Sequence, residues 1–267
     1  MITQSDLENI IRDSIIKLVN ESLSNKNIAK QYNKHQEKIH FIPIQYRIIG
    51  GILQSLNIKF DNFLQNLLSA IILKEENLIL HQLSGKRIAA SFSKEANNII
   101  EEYIYDRENK EATELELNLN FSKLKENITN KNKINNEAIF FKQDIDLLFE
   151  TKDQIIYLEI KYNDDHDTGK FADINRKFIK TFLLIQNHIS PSSTKPIMPI
   201  IYYFNKKIRW QSHYIPKENV LRGGQLFDKY FSTKFELLED AIKNISHNQK
   251  FIKIFDEMSE NVKNLSL

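Results

Sequence analysis

The sequence predicts a mixed α/β fold whose core runs helix, strands, helix, strand, with additional helices at both ends. Three observations predict it. Apolar residues recur at helical spacing through the first third and again near the C-terminus. A β-branched and aromatic stretch from Ala138 to Tyr162 is interrupted by one polar turn. Behind that stretch come one more helical pattern and one more strand-like run.

Taken in order, Ser5-Asp6-Leu7-Glu8 reads as a capping box, and Leu7, Ile10, Ile11, Ile15 and Leu18 follow at helical spacing, predicting a helix over about 6–23. A polar stretch from Ser24 to Lys38 follows. Ile44 to Leu56 and Phe60 to Lys74 are two further helical segments, with turn-prone residues near Asn57 and Asp61 between them. Gly50-Gly51 lacks the pattern of a phosphate loop and reads as close backbone packing or a break. Ser93 caps a helix with a stripe of Ala96, Ile99, Ile100, Tyr103 and Ile104. Residues 106–115 and 122–136 read as exposed loops around a short alternating strand, Glu116 to Phe121. Ala138 to Phe149 and Gln154 to Tyr162 form a hairpin. A helix over about 171–187, a strand over about 197–204 and helical patterns from about Gly224 complete the chain.

Composition excludes several chemistries. With no cysteine there is no disulfide framework, no thiol nucleophile and no Cys-ligated metal. The formal charge is +2, from 37 Lys and Arg against 35 Asp and Glu, so any basic surface must be local. Asp6, Glu8, Arg12 and Asp13 interrupt the apolar residues of the N-terminus, and no apolar run reaches the roughly 18 residues of a membrane span, so a cytoplasmic protein with no membrane partner is expected.

In the strand around Glu159-Ile160-Lys161, alternation puts Glu159 and Lys161 on one face and Ile156, Leu158 and Ile160 on the other. With a turn centred on Lys152-Asp153, residues summing to about 305 face one another, so Asp146 opposes Glu159 and Asp144 opposes Lys161. Two such carboxylates can hold one hard cation. Phosphodiester hydrolysis needs charge on the attacked phosphate and a positioned water, which Asp146 and Glu159 with Mg²⁺, and Lys161 beside them, can supply. A bare Glu-x-Lys is more often an ordinary ion pair on an exposed strand. What favours chemistry is the acid at the opposing position, the apolar runs around each charge, and the helix and strand that follow.

These residues resemble the PD-(D/E)xK nuclease superfamily, in which an Asp on one strand precedes Glu-x-Lys on the next. The resemblance implies a restriction-endonuclease-like mixed sheet core, αβββαβ. Ile145 stands where that pattern usually has Pro, which leaves Asp144 as a rival to Asp146 for the metal. The run Glu159-Ile160-Lys161-Tyr162-Asn163-Asp164-Asp165-His166-Asp167-Thr168-Gly169-Lys170, continuing to Asp173-Ile174-Asn175-Arg176-Lys177, is similar to type II restriction endonucleases and most like the HinfI-type group. Phe41-Ile42-Pro43-Ile44-Gln45-Tyr46-Arg47 and Leu221-Arg222-Gly223-Gly224 add weaker support. The resemblance implies cleavage of a short specific sequence in double-stranded DNA, with a cognate methyltransferase protecting the host. The order of elements along the chain in turn predicts one domain over 1–267, the nuclease domain, with a helical region at 1–80, a catalytic core at 85–205 and a C-terminal helical region at 206–267.

Other residues are secondary candidates. Asp164, Asp165, His166 and Asp167 could hold a second metal or position water, His166 because an unperturbed imidazole is the side chain suited to a general base at neutral pH; a polar turn capping the next helix accounts for them equally well. Lys170, Arg176, Lys177 and Lys180 lie along one helical segment and could neutralise phosphates. Lys86 and Arg87 after Ser84-Gly85, and Arg222 before Gly223-Gly224, combine flexible backbone with side chains suited to guanine or phosphate. Glu101 and Glu102 are peripheral carboxylates. A palindromic target asks for two symmetry-related centres, hence a homodimer. Two rival readings remain at this level: a repair or junction-resolving nuclease of the same fold, and a non-catalytic DNA-binding protein.

Overall fold

A computed structural model describes residues 4–132, 138–164, 168–189, 193–208 and 214–265. The chain forms two compact units, residues 1–74 with 232–267 and residues 75–231.

The first unit is helical among its described residues: α1 (Gln4–Ser22), α2 (Asn25–Gln36), α3 (Ile44–Ile72), α8 (Phe235–Ser246) and α9 (Gln249–Leu265). Ser5 lies inside α1. The polar stretch after it folds as α2, because Ile28 is enough of a stripe to join Ile48 and Ile52 of α3 and Met258 and Val262 of α9 in one core. The expected break near Asn57 does not occur. Phe63, Leu64, Leu67, Leu68, Ile71 and Ile72 continue the buried face, and a weak local preference at Asn57 yields to that packing. A Cβ at Gly51 would lie 2.5 Å from Gln31 Oε1, so this glycine sets the approach of α2 to α3, while Gly50 faces open space.

The second unit contains α4 (Lys94–Asn109), α5 (Glu114–Asn132), α6 (Thr168–Ile189), α7 (Gly224–Tyr230) and seven described strands. The strands β1 (Ile79–Leu80), β4 (Leu147–Glu150), β5 (Ile155–Lys161), β6 (Ile197–Tyr203) and β7 (Val220–Arg222) form one mixed sheet in that order. β4 and β5 are antiparallel, whereas β5, β6 and β7 run parallel. A parallel pair needs a long crossover, and α6 supplies it between β5 and β6. The strands β2 (Arg87–Ser93) and β3 (Ala138–Asp144) pair separately. Along the chain, α4, β3, β4, β5, α6 and β6 reproduce the expected αβββαβ order, with α5 inserted. Ser93 caps α4 as expected, its Oγ accepting from Ala96 N–H at 3.0 Å.

Two further expectations, both in the second unit, are corrected. The segment read as a strand at Glu116 to Phe121, with a loop after it, is α5. Leu117, Phe121, Leu124 and Ile128 are buried at helical spacing, whereas Leu115 and Leu119, which gave the appearance of alternation, are exposed. A capping box holds its start: Thr113 N–H donates to Glu116 Oε2 at 2.8 Å and Glu116 N–H donates to Thr113 Oγ1 at 3.3 Å. The first arm of the hairpin is also not one strand. The chain leaves the sheet at Ile145, so β3 runs with β2 and only β4 runs with β5.

Among the described residues no helix is long and apolar enough to cross a membrane.

Candidate active site

The turn closes where the sequence puts it, with Thr151 N–H donating to Gln154 O at 2.9 Å. Leu147 faces Leu158 and Glu150 faces Ile155. Carrying that count one step further sets Asp146 beside Glu159. The side chains confirm the proximity, because Asp146 Oδ2 accepts from Ile160 N–H at 2.9 Å.

Alternation along β5 turns Tyr157, Glu159 and Lys161 toward α6, where Tyr157 stacks on Phe178 with ring centroids 5.5 Å apart. Glu159 is fully buried, with 0% exposure. Its Oε1 accepts from Lys161 Nζ at 2.8 Å and from Lys177 Nζ on α6 at 2.9 Å, while its Oε2 accepts from the Tyr157 hydroxyl at 2.9 Å. Burial alone would raise its pKa, but the two ammoniums outweigh burial and hold it below the usual carboxylate value. Asp146 behaves oppositely. Burial, then the negative charge of Glu159, push its pKa up to about 6, against a smaller pull from Lys161 and Lys177. Burial and both carboxylates also raise the Tyr157 phenol well above its ordinary pKa, keeping it a donor at neutral pH.

Lys161 Nζ lies 3.9 Å from Asp146 Oδ2 and 2.8 Å from Glu159 Oε1, so one cationic group already serves both carboxylates. A hard divalent cation takes oxygen ligands, and this acidic pair fits that requirement. Among the described residues no three His, Asp or Glu side chains converge, so the pair is the donor set on offer.

The remaining candidates fall into separate groups. Asp144 does not face Lys161. It makes a two-pronged pair with Arg87, at 2.7 Å to both oxygens, because β3 pairs with β2. Asp164 is buried and paired with Arg222 at 2.8 Å, the guanidinium lying 4.4 Å from the centre of the Tyr203 ring. Glu101 accepts from Arg176 Nε at 2.8 Å and Lys180 Nζ at 2.7 Å, and Arg176 also pairs with Asp173. Lys86 and Lys170 are exposed. Asp165, His166 and Asp167 lie outside the described residues. Sequence reasoning overlooked Tyr157, although its place two residues before Glu159 on one strand face was a usable signal. It gave Lys177 a phosphate role without seeing its contact with Glu159, which depends on how α6 docks.

Comparison with known proteins completes the picture. Residues 3–246 match the family model "Type II restriction endonuclease, HinfI". The chain is 37% identical over 258 residues to the type II restriction enzyme HinfI of Haemophilus influenzae, covering 95% of this chain and 96% of that protein. No solved structure matches it. With a mixed α/β core, a paired-carboxylate centre and a family match over nearly its whole length, the chain belongs to the HinfI family of type II restriction endonucleases.

Proposed function

We propose that this restriction endonuclease cuts double-stranded DNA at a short specific sequence using Asp146, Glu159 and Lys161, with Mg²⁺ held by the two carboxylates. The observation that carries the reading is the convergence of those three side chains where the residue leading into β4 meets β5, with Lys161 within 3.9 Å of both acids. Mg²⁺ bound there supplies positive charge at the attacked phosphate and lowers the pKa of water. The protein does the rest. Lys161, an ammonium with donors only, orients the attacking water and stabilises charge on the phosphate oxygens. Tyr157 and Lys177 hold Glu159 ionised and fixed. Water adds across one P–O ester bond, leaving a phosphate monoester and a hydroxyl. Lys86, Arg87, Lys170, Arg176, Lys177 and Arg222 are proposed DNA contacts, Asp144 and His166 secondary metal or water-positioning groups. The working unit is a cytoplasmic homodimer, with a cognate methyltransferase as its functional partner.

The test uses unmethylated plasmid and genomic DNA with Mg²⁺ or EDTA, beside Lys161→Ala. Discrete Mg²⁺-dependent fragments that disappear in the variant are expected. Unchanged cutting by Lys161→Ala would remove this lysine from the chemistry.

A further inference from the structure

The loop joining α2 to α3 exposes side chains that a soluble protein normally hides. Ile39 is 104% exposed and Phe41 90% exposed. The loop is nevertheless held in shape. Arg47 Nη1 donates to the carbonyls of His35 at 3.0 Å and Lys38 at 3.1 Å. Ile42 N–H donates to His40 Nδ1 at 3.0 Å, and the His40 ring stacks on Phe41 with centroids 4.9 Å apart and planes 24° apart. An apolar tip braced in the open is a surface suited to a partner.

The charge around it identifies the partner. Lys34 and Lys38 are exposed beside the tip, Arg47 lies at its base, and Glu37 is the one acid between positions 34 and 47. His35 senses this field: burial lowers its pKa first, then Lys38, Lys34, Arg47 and His40, with no acid among the causes. The first turn of α3 carries no acidic residue, so the positive end of the helix adds to the effect. A second copy docked here about a two-fold axis would set two such positive clusters against each other. A polyanion with apolar faces between its charges suits the site on both counts.

We propose that this loop is a DNA contact, in which Phe41, His40 and Ile39 pack on base or sugar faces while Lys34, Lys38 and Arg47 neutralise phosphates. Exposed aromatic and aliphatic groups in a basic setting are how proteins stack on or wedge between bases. The proposal rests on duplex DNA being the substrate of this family, and adds a binding element in the helical unit.

The experiment measures fluorescence anisotropy of the full chain on a duplex that the wild type cuts, with Lys161→Ala as the parent so that the DNA stays intact. Phe41→Ser should weaken binding roughly tenfold with an unchanged salt slope. The double variant Lys34→Gln, Lys38→Gln should reduce that slope by about two phosphate contacts. Thermal melting checks that both variants fold, which their exposure favours. Binding equal to the parent's in both variants overturns the proposal. So does a Phe41→Ser protein that sediments as a monomer where the parent is a dimer, since the loop is then a self-association surface. A parent that binds no duplex at all overturns the DNA reading itself, a result distinct from parental binding that survives the loop changes.

Discussion

At the scale of single residues, Asp146 and Glu159 show how one small site holds two carboxylates in different states. Glu159 is more buried, yet two ammoniums and a phenol compensate it, while Asp146 accepts from Ile160 N–H at 2.9 Å and stands farther from the Lys161 ammonium, at 3.9 Å. The unfolded carboxyl of Asp146 ionises near its ordinary value of 3.8, the folded one at about 6. Between those values the folded state binds the extra proton, so this group's contribution to stability is fully present below the lower value and is lost as pH rises through the upper. Asp146→Asn should abolish Mg²⁺-dependent cleavage, and when melted in EDTA it should be more stable than the parent at pH 8 by about 1–3 kcal/mol, with little gain at pH 4. Denaturant melts at the two pH values check this, and an Asn variant no more stable at pH 8 contradicts it. Tyr157→Phe keeps the ring on Phe178 and removes one donor from a buried carboxylate. It should cost about 1.5–3 kcal/mol of stability and lower kcat more than KM.

At the scale of elements, α3 and α5 depend on contacts that no short window displays. The adjacent glycines of α3 make a controlled comparison. Ala at position 50 meets open space and should stabilise the helix by about 0.5–1 kcal/mol. Ala at position 51 meets the buried Gln31 amide at 2.5 Å and should be less stable than the Gly50→Ala protein by about 1–2 kcal/mol. Equal melting of the two would show that α2 yields freely. The start of α5 rests on the Thr113 and Glu116 box, so Thr113→Ala should cost about 1 kcal/mol, read from the same melts. That box was visible in the sequence. The alternation of Leu115, Leu117, Leu119 and Phe121 concealed it, because these residues satisfy a strand period as readily as every second one satisfies a helix face.

At the scale of the whole molecule, a net charge of +2 provides no long-range attraction to DNA, so affinity must come from local clusters and should fall steeply with salt. A palindromic target also requires two centres. Sedimentation is expected to give twice the chain mass, and a monomer on and off DNA would contradict the dimer. By itself the sequence determined the turn at 151–154, the register of the two strand segments that flank it, and the coincidence of Asp146, Glu159 and Lys161 around them. These follow from a turn and a two-residue alternation, both local along the chain. Only the tertiary structure decided that Asp144 belongs to Arg87, that Lys177 and Tyr157 complete the surroundings of Glu159, and that residues 114–132 are helical. Each of these turns on which distant surfaces bury one another: β3 aligns with a strand some fifty residues away, and Lys177 reaches Glu159 because α6 packs back over β5.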